Sequence, residues 1–380
     1  MTDFDIIIIG AGASGLLLSD ALGRDAYFKN KSILLLEKDA KQTNDRTWCY
    51  WEKGGGQFDP LLHKSWNTIY FGGEQFSKHM DIGPYSYKMI RGIDFYREYL
   101  GRIRRYSNIT FCTETVIDLN DKTNQVIVKT ENNTYRASKV FNSIFDYKTL
   151  LKQRKYPVLQ QHFKGWFIKT KKPVFNPASA SFMDFSIPQN GNTRFMYVLP
   201  FSENEGLVEY TLFSEKLLEE EEYDAAITSY ITTHLDDTKY EILQSEKGSI
   251  PMSCYDFESH NSANILNIGT AGGWSKPSTG FTFMNTARNI AALIPFLKKN
   301  KPLDTFSTKK RFWYYDLLLL DILYRNNEKG RLIFESLFKK RHPQLILKFL
   351  EEKTSIWEDL KIIAACPKKD FISAFFRRLF

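Results

Sequence analysis

The opening of the chain carries a glycine-rich turn between a short apolar strand and an apolar helix. An apolar run leads into Gly10, Gly12 and Gly15, and a second apolar run ends at Glu37. The glycines have the G-x-G-x-x-G spacing, and the acidic residue follows the last of them by 22 positions, which is the order of a dinucleotide-binding βαβ unit. This pattern predicts a Rossmann-like α/β domain at the N-terminus.

Each part of the pattern has a mechanical role in holding a dinucleotide. Gly10 permits the tight turn, Gly12 lets the backbone approach a pyrophosphate, and Gly15 lets the helix pack closely on the strand. The N-terminus of the helix attracts the phosphates. Glu37 can accept hydrogen bonds from the adenosine ribose hydroxyls. We therefore predict that this region binds a dinucleotide.

A second glycine-rich loop, residues 269–280, follows a late apolar strand and leads into another helix. One fingerprint would suffice for a nicotinamide dehydrogenase, whereas two such loops indicate FAD. In large flavoproteins the later loop brings backbone amides and a positive helix end to the ribityl chain and the flavin ring, and that helix end stabilises the anionic reduced flavin. The alternative is that these glycines only form turns.

The rest of the 380-residue chain divides into a strand-rich region and a helical region, and its length allows two or three domains. A hairpin with the connection SENEG is predicted within the strand-rich region, and the apolar period is helical after Pro302. Helices are predicted at residues 92–106 and 217–235. Strands are predicted at residues 109–119, 193–201 and 206–213, and two strands joined by a polar turn at residues 131–134 are predicted within residues 125–145. The predicted domains are a discontinuous FAD-binding domain at 1–157 and 250–297, a mixed or antiparallel β-sheet substrate domain at 158–249, and a basic helical region at 298–380.

The formal net charge of +8 is concentrated in the last 83 residues. Residues 298–380 carry 19 Lys and Arg against ten Asp and Glu, a net charge of +9, and the rest of the chain carries 33 against 34. Such a surface can face nucleic acid, anionic lipid or only water. Since no recognised nucleic-acid-binding module accompanies the charge, we expect no nucleic-acid partner.

The longest apolar stretch, residues 312–324, has 13 residues with two aspartates, whereas a spanning helix needs about 20 apolar residues. The tail places four apolar residues at i, i+3, i+4 and i+7 beside two arginines, which indicates either a helix in a membrane interface or a terminal helix packed on the protein. The apolar residues are Ile372, Phe375, Phe376 and Leu379, and the arginines are Arg377 and Arg378.

The cysteines and the N-terminus indicate a cytoplasmic protein. Four cysteines lie far apart, with no CxxC pair and no His at metal-ligand spacing, so we expect neither a disulfide framework nor a metal site. The first residues lack the pattern of a signal peptide. The cysteines are Cys49, Cys112, Cys254 and Cys366.

Seven segments spread along the chain carry a family resemblance. They are GAGASGLLLSDAL (10–22), DRTWCYW (45–51), QHFKGWFIKT (161–170), SFMDF (181–185), RFMYVLPFS (194–202), LVEYTLFS (207–214) and NIGTAGGWSKPSTGFTF (267–283). Together they resemble bacterial-type lycopene β-cyclases, which are flavoproteins similar in fold to geranylgeranyl reductases and aromatic hydroxylases. The resemblance extends from residue 4 to about residue 297.

The resemblance implies that both glycine loops hold FAD, which is active in its reduced form, with NAD(P)H needed only to keep it reduced. Thr270 stands where many flavoproteins have Asp, so its contact to the ribityl chain would be a hydroxyl or a backbone amide. The further cofactor-binding residues that the resemblance implies are Ala13, Ser14, Arg46, Arg91, Gly269, Gly280 and Phe281.

One carboxylate, Glu209, is the candidate for acid catalysis. Alternation along its strand puts Leu207, Glu209 and Thr211 on one face, and by pattern alone Glu209 is a charged residue on a wet face. The family's acidic motif, F-L-E-E-T, falls on this strand, with Tyr210 where a second acid commonly stands. The resemblance implies that this face lines an apolar substrate channel beside the flavin, where the carboxyl pKa would be raised and Glu209 would be the proton donor. Asp184 is either a second acid or a structural hydrogen-bonding residue.

The resemblance implies a redox-neutral reaction that turns lycopene into γ-carotene and then β-carotene. Protonation of a terminal C=C gives a tertiary cation, the neighbouring double bond closes a six-membered ring, and loss of a ring proton leaves the β-ionone ring. Reduced flavin would stabilise the cation electrostatically. Because lycopene lives in membranes, the basic C-terminal region is expected to dock on anionic lipid, which makes the protein peripherally membrane-associated.

Two other classes of function share parts of this sequence pattern. A FAD-dependent reductase or monooxygenase acting on an isoprenoid would have the same fold and both glycine loops, but it would consume NAD(P)H in proportion to product. A non-catalytic membrane-binding or partner-binding protein would retain the fold without taking up FAD.

Overall fold

A computed structural model describes residues 1–235 and 239–379. In this part of the chain the strands are β1 (Thr2–Ile9), β2 (Ile33–Glu37), β3 (Thr47–Lys53), β4 (Leu62–Trp66), β5 (Thr68–Gly72), β6 (Lys78–Asp81), β7 (Tyr85–Arg91), β8 (Ile109–Thr113), β9 (Val116–Lys122), β10 (Gln125–Thr130), β11 (Thr134–Asn142), β12 (Leu159–Thr170), β13 (Ser179–Asp184), β14 (Arg194–Pro200), β15 (Glu205–Ser214), β16 (Tyr240–Met252) and β17 (Ile265–Asn267). The helices are α1 (Ala13–Arg24), α2 (Gly92–Ile103), α3 (Tyr147–Lys152), α4 (Glu220–His234), α5 (Phe283–Leu297), α6 (Phe312–Arg325), α7 (Lys329–Lys340), α8 (Pro343–Leu350), α9 (Ile356–Ala365) and α10 (Lys368–Leu379).

The chain forms two compact units, each built from separated segments. The first unit comprises residues 1–48, 91–155 and 254–310, and the second comprises residues 49–90, 156–253 and 311–380. The predicted division had placed residues 49–90 with the FAD-binding segments. The structure differs there because β5 pairs in parallel with β13 and so joins the sheet of the second unit.

The first unit is built on a sheet of order β8-β2-β1-β11-β10-β9, with β17 beside β11. The strands β8, β2, β1, β11 and β17 run parallel. All five residues of β2 are buried, as expected for a parallel strand covered on both faces. Helix α1 packs against α2 and α5. This arrangement confirms the predicted Rossmann-like α/β fold.

The second unit contains a sheet of order β16-β12-β15-β14-β13-β5-β6 and a smaller sheet of order β3-β7-β4. From β16 to β13 each strand is antiparallel to the next, whereas β13 and β5 are parallel. Helix α4 covers one face of the large sheet, where Val208, Tyr210 and Leu212 of β15 pack with Tyr223 and Ile227 of the helix. Alternate residues of β15 therefore point to the opposite face, on which the candidate acid lies.

The C-terminal helices α6 to α10 belong to the second unit. Helix α10 packs on α6 through buried Ala374, and the guanidinium of Arg378 binds both oxygens of Asp321 at 2.6 Å. The apolar residues predicted on the tail face remain exposed nonetheless. Among the described residues, none of the helices is both long and apolar enough to cross a bilayer.

Most predicted elements match the structure, and one predicted strand is divided. The hairpin is confirmed as β14 and β15. Residues 109–119 form two strands at opposite edges of the sheet, because β8 pairs with β2 and β9 pairs with β10. Between them the carboxylate of Glu114 accepts from Thr130 Oγ1 at 2.5 Å and Tyr135 Oη at 2.9 Å.

Candidate active site and cofactor loops

The first glycine loop has a geometry that only small residues permit. Gly10 has a φ of +95°, and a Cβ there would lie 2.0 Å from Ser143 Oγ. A Cβ on Gly15 would lie 1.8 Å from the carbonyl oxygen of Gly10. A Cβ on Gly12 would meet nothing within 4 Å. The loop is therefore closed where helix α1 meets the strand and open at Gly12, where the fingerprint predicts the pyrophosphate.

Glu37 holds the first loop in place. Its Oε2 accepts the N–H of Ala11 at 2.6 Å, its Oε1 accepts the N–H of Asp39 at 3.2 Å, and Lys41 Nζ lies 3.8 Å from Oε2. The carboxylate is buried. Glu37 thus fixes the turn between β1 and α1, and its contact with a ribose stays a prediction.

The structure brings the second glycine loop next to the first. Gly269 has a φ of +62°, and a Cβ there would lie 2.7 Å from Ser14 Oγ. The far end of the loop turns at Gly280, which has a φ of +69° and donates its N–H to the carbonyl of Lys276 at 2.8 Å. The carbonyl of Phe281 accepts the N–H of Lys276 at 3.0 Å.

Hydroxyl groups link the two ends of the second loop. The hydroxyls of Thr270 and Ser275 are 3.3 Å apart, and those of Ser275 and Thr282 are 2.8 Å apart. Thr282 Oγ1 in turn donates to the carbonyl of Gly280 at 2.8 Å. Thr270 therefore takes part in the internal hydrogen bonds of the loop.

The segment DRTWCYW contributes contacts to the first unit through its first four residues. The carbonyl of Arg46 accepts the N–H of Gly92 at 2.7 Å, directly after Arg91, which precedes helix α2. The indole of Trp48 stacks on Phe283, the first residue of α5, with ring centroids 5.3 Å apart. Two of the segments that carry the family resemblance, DRTWCYW and NIGTAGGWSKPSTGFTF, are thus in contact, and Arg46 and Arg91 lie at the start of α2.

These loops fit the adenine dinucleotide half of FAD. The first N–H groups of α1 have no acceptor within the helix, and Gly12, the residue directly before α1, has open space where a side chain would lie. A helix N-terminus of this kind binds phosphate through its N–H groups and its dipole. Ala13, Ser14 and Gly15 form that first turn. The residues that would hold the cofactor are therefore assembled in the first unit.

The candidate acid Glu209 lies in the middle of β15 on the face opposite α4. Its register partners are Tyr197 on β14 and Gly165 on β12. Thr211 Oγ1 donates to Glu209 Oε1 at 2.9 Å. The side chain is half-buried, which differs from the wet face that alternation alone suggested.

The surroundings of Glu209 favour its neutral form. Burial desolvates the carboxylate and raises its pKa well above the ordinary value, and the negative charge of Glu246 raises the pKa further. The hydrogen bond from Thr211 acts in the opposite direction, because it favours the charged form. On balance the pKa of Glu209 is raised, because desolvation and the charge of Glu246 outweigh this hydrogen bond.

Aromatic rings surround this face within the second unit. Phe182 packs edge-on against Tyr87 at 5.4 Å, Tyr197 at 6.2 Å and Trp51 at 6.0 Å between ring centroids. Burial raises the pKa of Tyr197 and of Tyr87 far above the ordinary value, and it does the same for the thiol of Cys49. These described groups are therefore neutral, whereas the negative charge of Glu246 acts on Glu209.

Sequence reasoning missed Glu246, which lies on β16 two strands away from Glu209. Gly165 on the intervening β12 is the register partner of both residues. The absence of a side chain at Gly165 leaves the two acids facing one another across the strand. No local sequence pattern identifies Glu246 as a site residue. Its position beside Glu209 is set by the strand register, which pairs residues distant in sequence.

The structure does not bring Asp184 to this face. Asp184 is the register partner of Met196, which packs in the core beneath α4. Its Oδ2 accepts from Tyr230 Oη of that helix at 2.7 Å, and its Oδ1 accepts the N–H of Ser186 at 3.0 Å. Glu209 points to the other face of the sheet. The contacts of Asp184 therefore favour the role of a structural hydrogen-bonding residue over that of a second acid.

The fold is that of flavoproteins with a Rossmann-type FAD-binding domain. A geranylgeranyl bacteriochlorophyll reductase-like protein from Thermoplasma acidophilum is 11% identical, with a TM-score of 0.63 and coverage of 98% of both chains. The flavin-dependent brominase Bmp2 is 14% identical, with a TM-score of 0.59 and coverage of 96% of this chain and 94% of that one. The p-nitrophenol 4-monooxygenase PnpA from Pseudomonas putida DLL-E4 is 12% identical, with a TM-score of 0.59 and coverage of 99% and 98%.

Within this class the sequence has a defined family. The family model described as lycopene cyclase protein matches residues 5–376, so the chain belongs to the lycopene cyclase family. The match confirms the predicted family and extends beyond residue 297, where the resemblance had ended. No curated protein sequence gives a significant match.

Proposed function

We propose that the protein cyclises the linear ends of lycopene to β-ionone rings, giving γ-carotene and then β-carotene. The observation that carries this proposal is the position of Glu209 on a sheet face that aromatic rings surround, where burial raises the pKa of its carboxyl. A neutral carboxylic acid can give a proton to an olefin, whereas a carboxylate cannot. The family membership supports a carotenoid as the substrate.

In the proposed reaction Glu209 protonates C2 at one end of the polyene and leaves a tertiary cation at C1. The C5=C6 double bond attacks C1, which closes the six-membered ring and moves the cation to C5. The Glu209 carboxylate takes back the proton from C6, which forms the ring double bond, so the protons balance and no electrons are transferred. The aromatic rings around Glu209 exclude water and face the cation with their negative π-surfaces.

We propose FAD as the cofactor and NAD(P)H as the reductant that keeps it reduced. The support is the open turn at Gly12, the adjoining loop at Gly269 and the N-terminus of α1 in the first unit. When bound and reduced, FAD supplies an electron-rich ring that stabilises a cation.

We further propose that the protein docks on the membrane surface, from which it takes its apolar substrate. Helix α9 exposes Ile356, Trp357, Leu360 and Ile363, with 77% of Trp357 accessible. These side chains form one stripe at helical spacing, while Asp359 and Ile362 are buried on the other face. Helix α10 exposes a second set of apolar side chains, and the lysines at its start are also exposed. The apolar residues are Ile372, Phe375, Phe376 and Leu379. An apolar stripe with flanking basic residues is typical of interfacial helices.

Replacing the proton donor by its amide tests the assignment of the acid. We expect Glu209→Gln to bind FAD as the parent does and to lower the formation of cyclised carotenoid by at least about 100-fold, since general acids contribute that much or more. The measurement is pigment analysis after expression in a lycopene-accumulating host. Glu205→Gln is the matched control, because Glu205 starts the same strand on the surface and pairs with Lys169 at 2.9 Å. Undiminished cyclisation by Glu209→Gln would show that another group is the acid.

The stoichiometry of the reductant separates a cyclase from a reductase or monooxygenase. With lycopene in vesicles and FAD reduced beforehand under anaerobic conditions, we expect many rings to form without further oxidation of NAD(P)H. The reason is that proton addition and proton loss balance within each ring. The assay follows NAD(P)H absorbance and carotenoid products together. Consumption of NAD(P)H in proportion to product would contradict the cyclase and support the redox alternative.

Loss of apolar side chains from α9 is expected to weaken membrane binding. Trp357→Ser should lower the partition coefficient on vesicles containing anionic phosphatidylglycerol by about tenfold, because a buried large apolar side chain is worth about 1.5–3 kcal/mol. Co-sedimentation with the vesicles provides the measurement. Ile117→Ser removes an apolar side chain that is 63% exposed in the first unit and serves as the control. Equal binding by both variants and the parent would exclude α9 as the docking surface.

A further inference from the structure

Three neighbouring strands place two carboxyl groups on either side of a glycine. Gly165 on β12 is opposite Glu209 on β15 and opposite Glu246 on β16. Strands in a sheet lie about 4.8 Å apart, so the Cα atoms of the two acids are about 10 Å apart. Directly opposed residues point to the same face. Both side chains therefore extend from the face that α4 does not cover.

The glycine leaves this space for the acids. A Cβ at Gly165 would lie 2.8 Å from Leu207 Cδ1, 3.2 Å from Glu209 Cβ and 3.4 Å from Glu209 Cγ. The stem of Glu209 thus leans over β12, towards the strand that carries Glu246. Any larger residue at this position would displace it.

The lysines adjacent in sequence point away from the two acids. Lys164 binds Glu220 at 2.6 Å and Asp224 at 2.5 Å on the α4 side, and Lys247 also pairs with Glu220. This alternation confirms that Glu246 lies on the opposite side of the sheet. The side chain of Glu246 is only 6% exposed, so its charge is little screened by water.

The other titratable groups around Glu209 come from three further strands. They are Cys49 on β3, Tyr87 on β7 and Tyr197 on β14, and an ionised Glu209 would raise the pKa of each. Cys49 also feels the charge of Glu246, which places both acids around one thiol. Because burial raises the pKa of all three groups, they are neutral where the enzyme works. Glu246 is thus the nearby group whose charge can act on Glu209.

We infer that Glu246 is a positioning residue for the cyclisation: its negative charge, facing Glu209 across Gly165, holds the proton on the donor. Two neighbouring carboxyl groups on one largely buried sheet face cannot both ionise without a large electrostatic cost, so the pair retains one proton. Desolvation alone would favour a neutral Glu209, and the second charge extends that preference to higher pH. This inference rests on the proposed role of Glu209 as the acid.

The test is the pH dependence of cyclisation by the holoenzyme with pre-reduced FAD and lycopene in vesicles. Loss of activity at high pH should report deprotonation of Glu209. In Glu246→Gln the charge is gone, the pKa of Glu209 falls, and we expect this basic limb to move to lower pH by about one unit or more. At pH values above both limbs the rate of Glu246→Gln is then about tenfold lower than the rate of the parent.

Two control variants separate the charge of Glu246 from other effects. Glu246→Asp keeps the charge and should retain the basic limb of the parent more closely than the amide does. Glu241→Gln removes an exposed charge from the same strand and should leave the profile unchanged. Glu246→Ala removes the charge without burying an amide, and it replaces Glu246→Gln if that variant does not bind FAD.

The outcomes distinguish this inference from the proposed function. An inactive Glu209→Gln together with a Glu246→Gln profile that coincides with the parent profile overturns the role of Glu246 alone. A fully active Glu209→Gln overturns the assignment of the acid, on which this role rests. The inference is supported if the basic limb moves to lower pH in Glu246→Gln and stays near its position in the parent in Glu246→Asp.

Discussion

The proposed chemistry depends on the electrostatic cost of a negative charge on one face of the large sheet. Glu209 lies on that face, where desolvation and the charge of Glu246 both raise its pKa. An ionised carboxyl in such a place has a high free-energy cost, so these surroundings favour the protonated form. That cost, which destabilises only the charged form, is what turns an ordinary glutamate into a proton donor for a weak base such as an olefin.

The two faces of the sheet in the second unit are organised differently. The face beneath α4 carries satisfied polar groups: His162 lies between Tyr223 and Ser214 at 2.5 Å and 2.7 Å, and burial lowers its pKa to about 4. Asp184 belongs to the same face and binds Tyr230. The opposite face carries aromatic rings and the two acids. Structural hydrogen bonds are thus separated from the groups that we assign to catalysis.

What could be predicted from the sequence was local. The first glycine loop could be recognised because its chemistry lies within a few consecutive residues, and the close approach of Gly15 to Gly10 explains the spacing. The orientation of Glu209 followed from strand alternation, since the period of two needs no knowledge of neighbours. Its burial did not follow from the pattern and came only from the family resemblance.

What could not be predicted depends on strand register and on contacts between distant segments. Glu246 faces Glu209 because Gly165 lies between them in the sheet, and no spacing in the sequence shows this. Asp184 was ambiguous because its face is set by an irregular register in β13. Residues 49–90 join the second unit through the pairing of β5 with β13, a contact between segments about a hundred residues apart.

The proposal that Glu209 is the acid can be tested directly by measuring the protonation state of Glu209 in the folded protein. Infrared spectroscopy can detect the C=O stretch of a buried carboxylic acid, and the difference spectrum between the parent and Glu209→Gln assigns that band to one residue. We expect a carboxylic-acid band at pH 7 that is lost in the variant. A Glu209 that is fully ionised at pH 7 and titrates near the ordinary glutamate value of about 4.3 would contradict it.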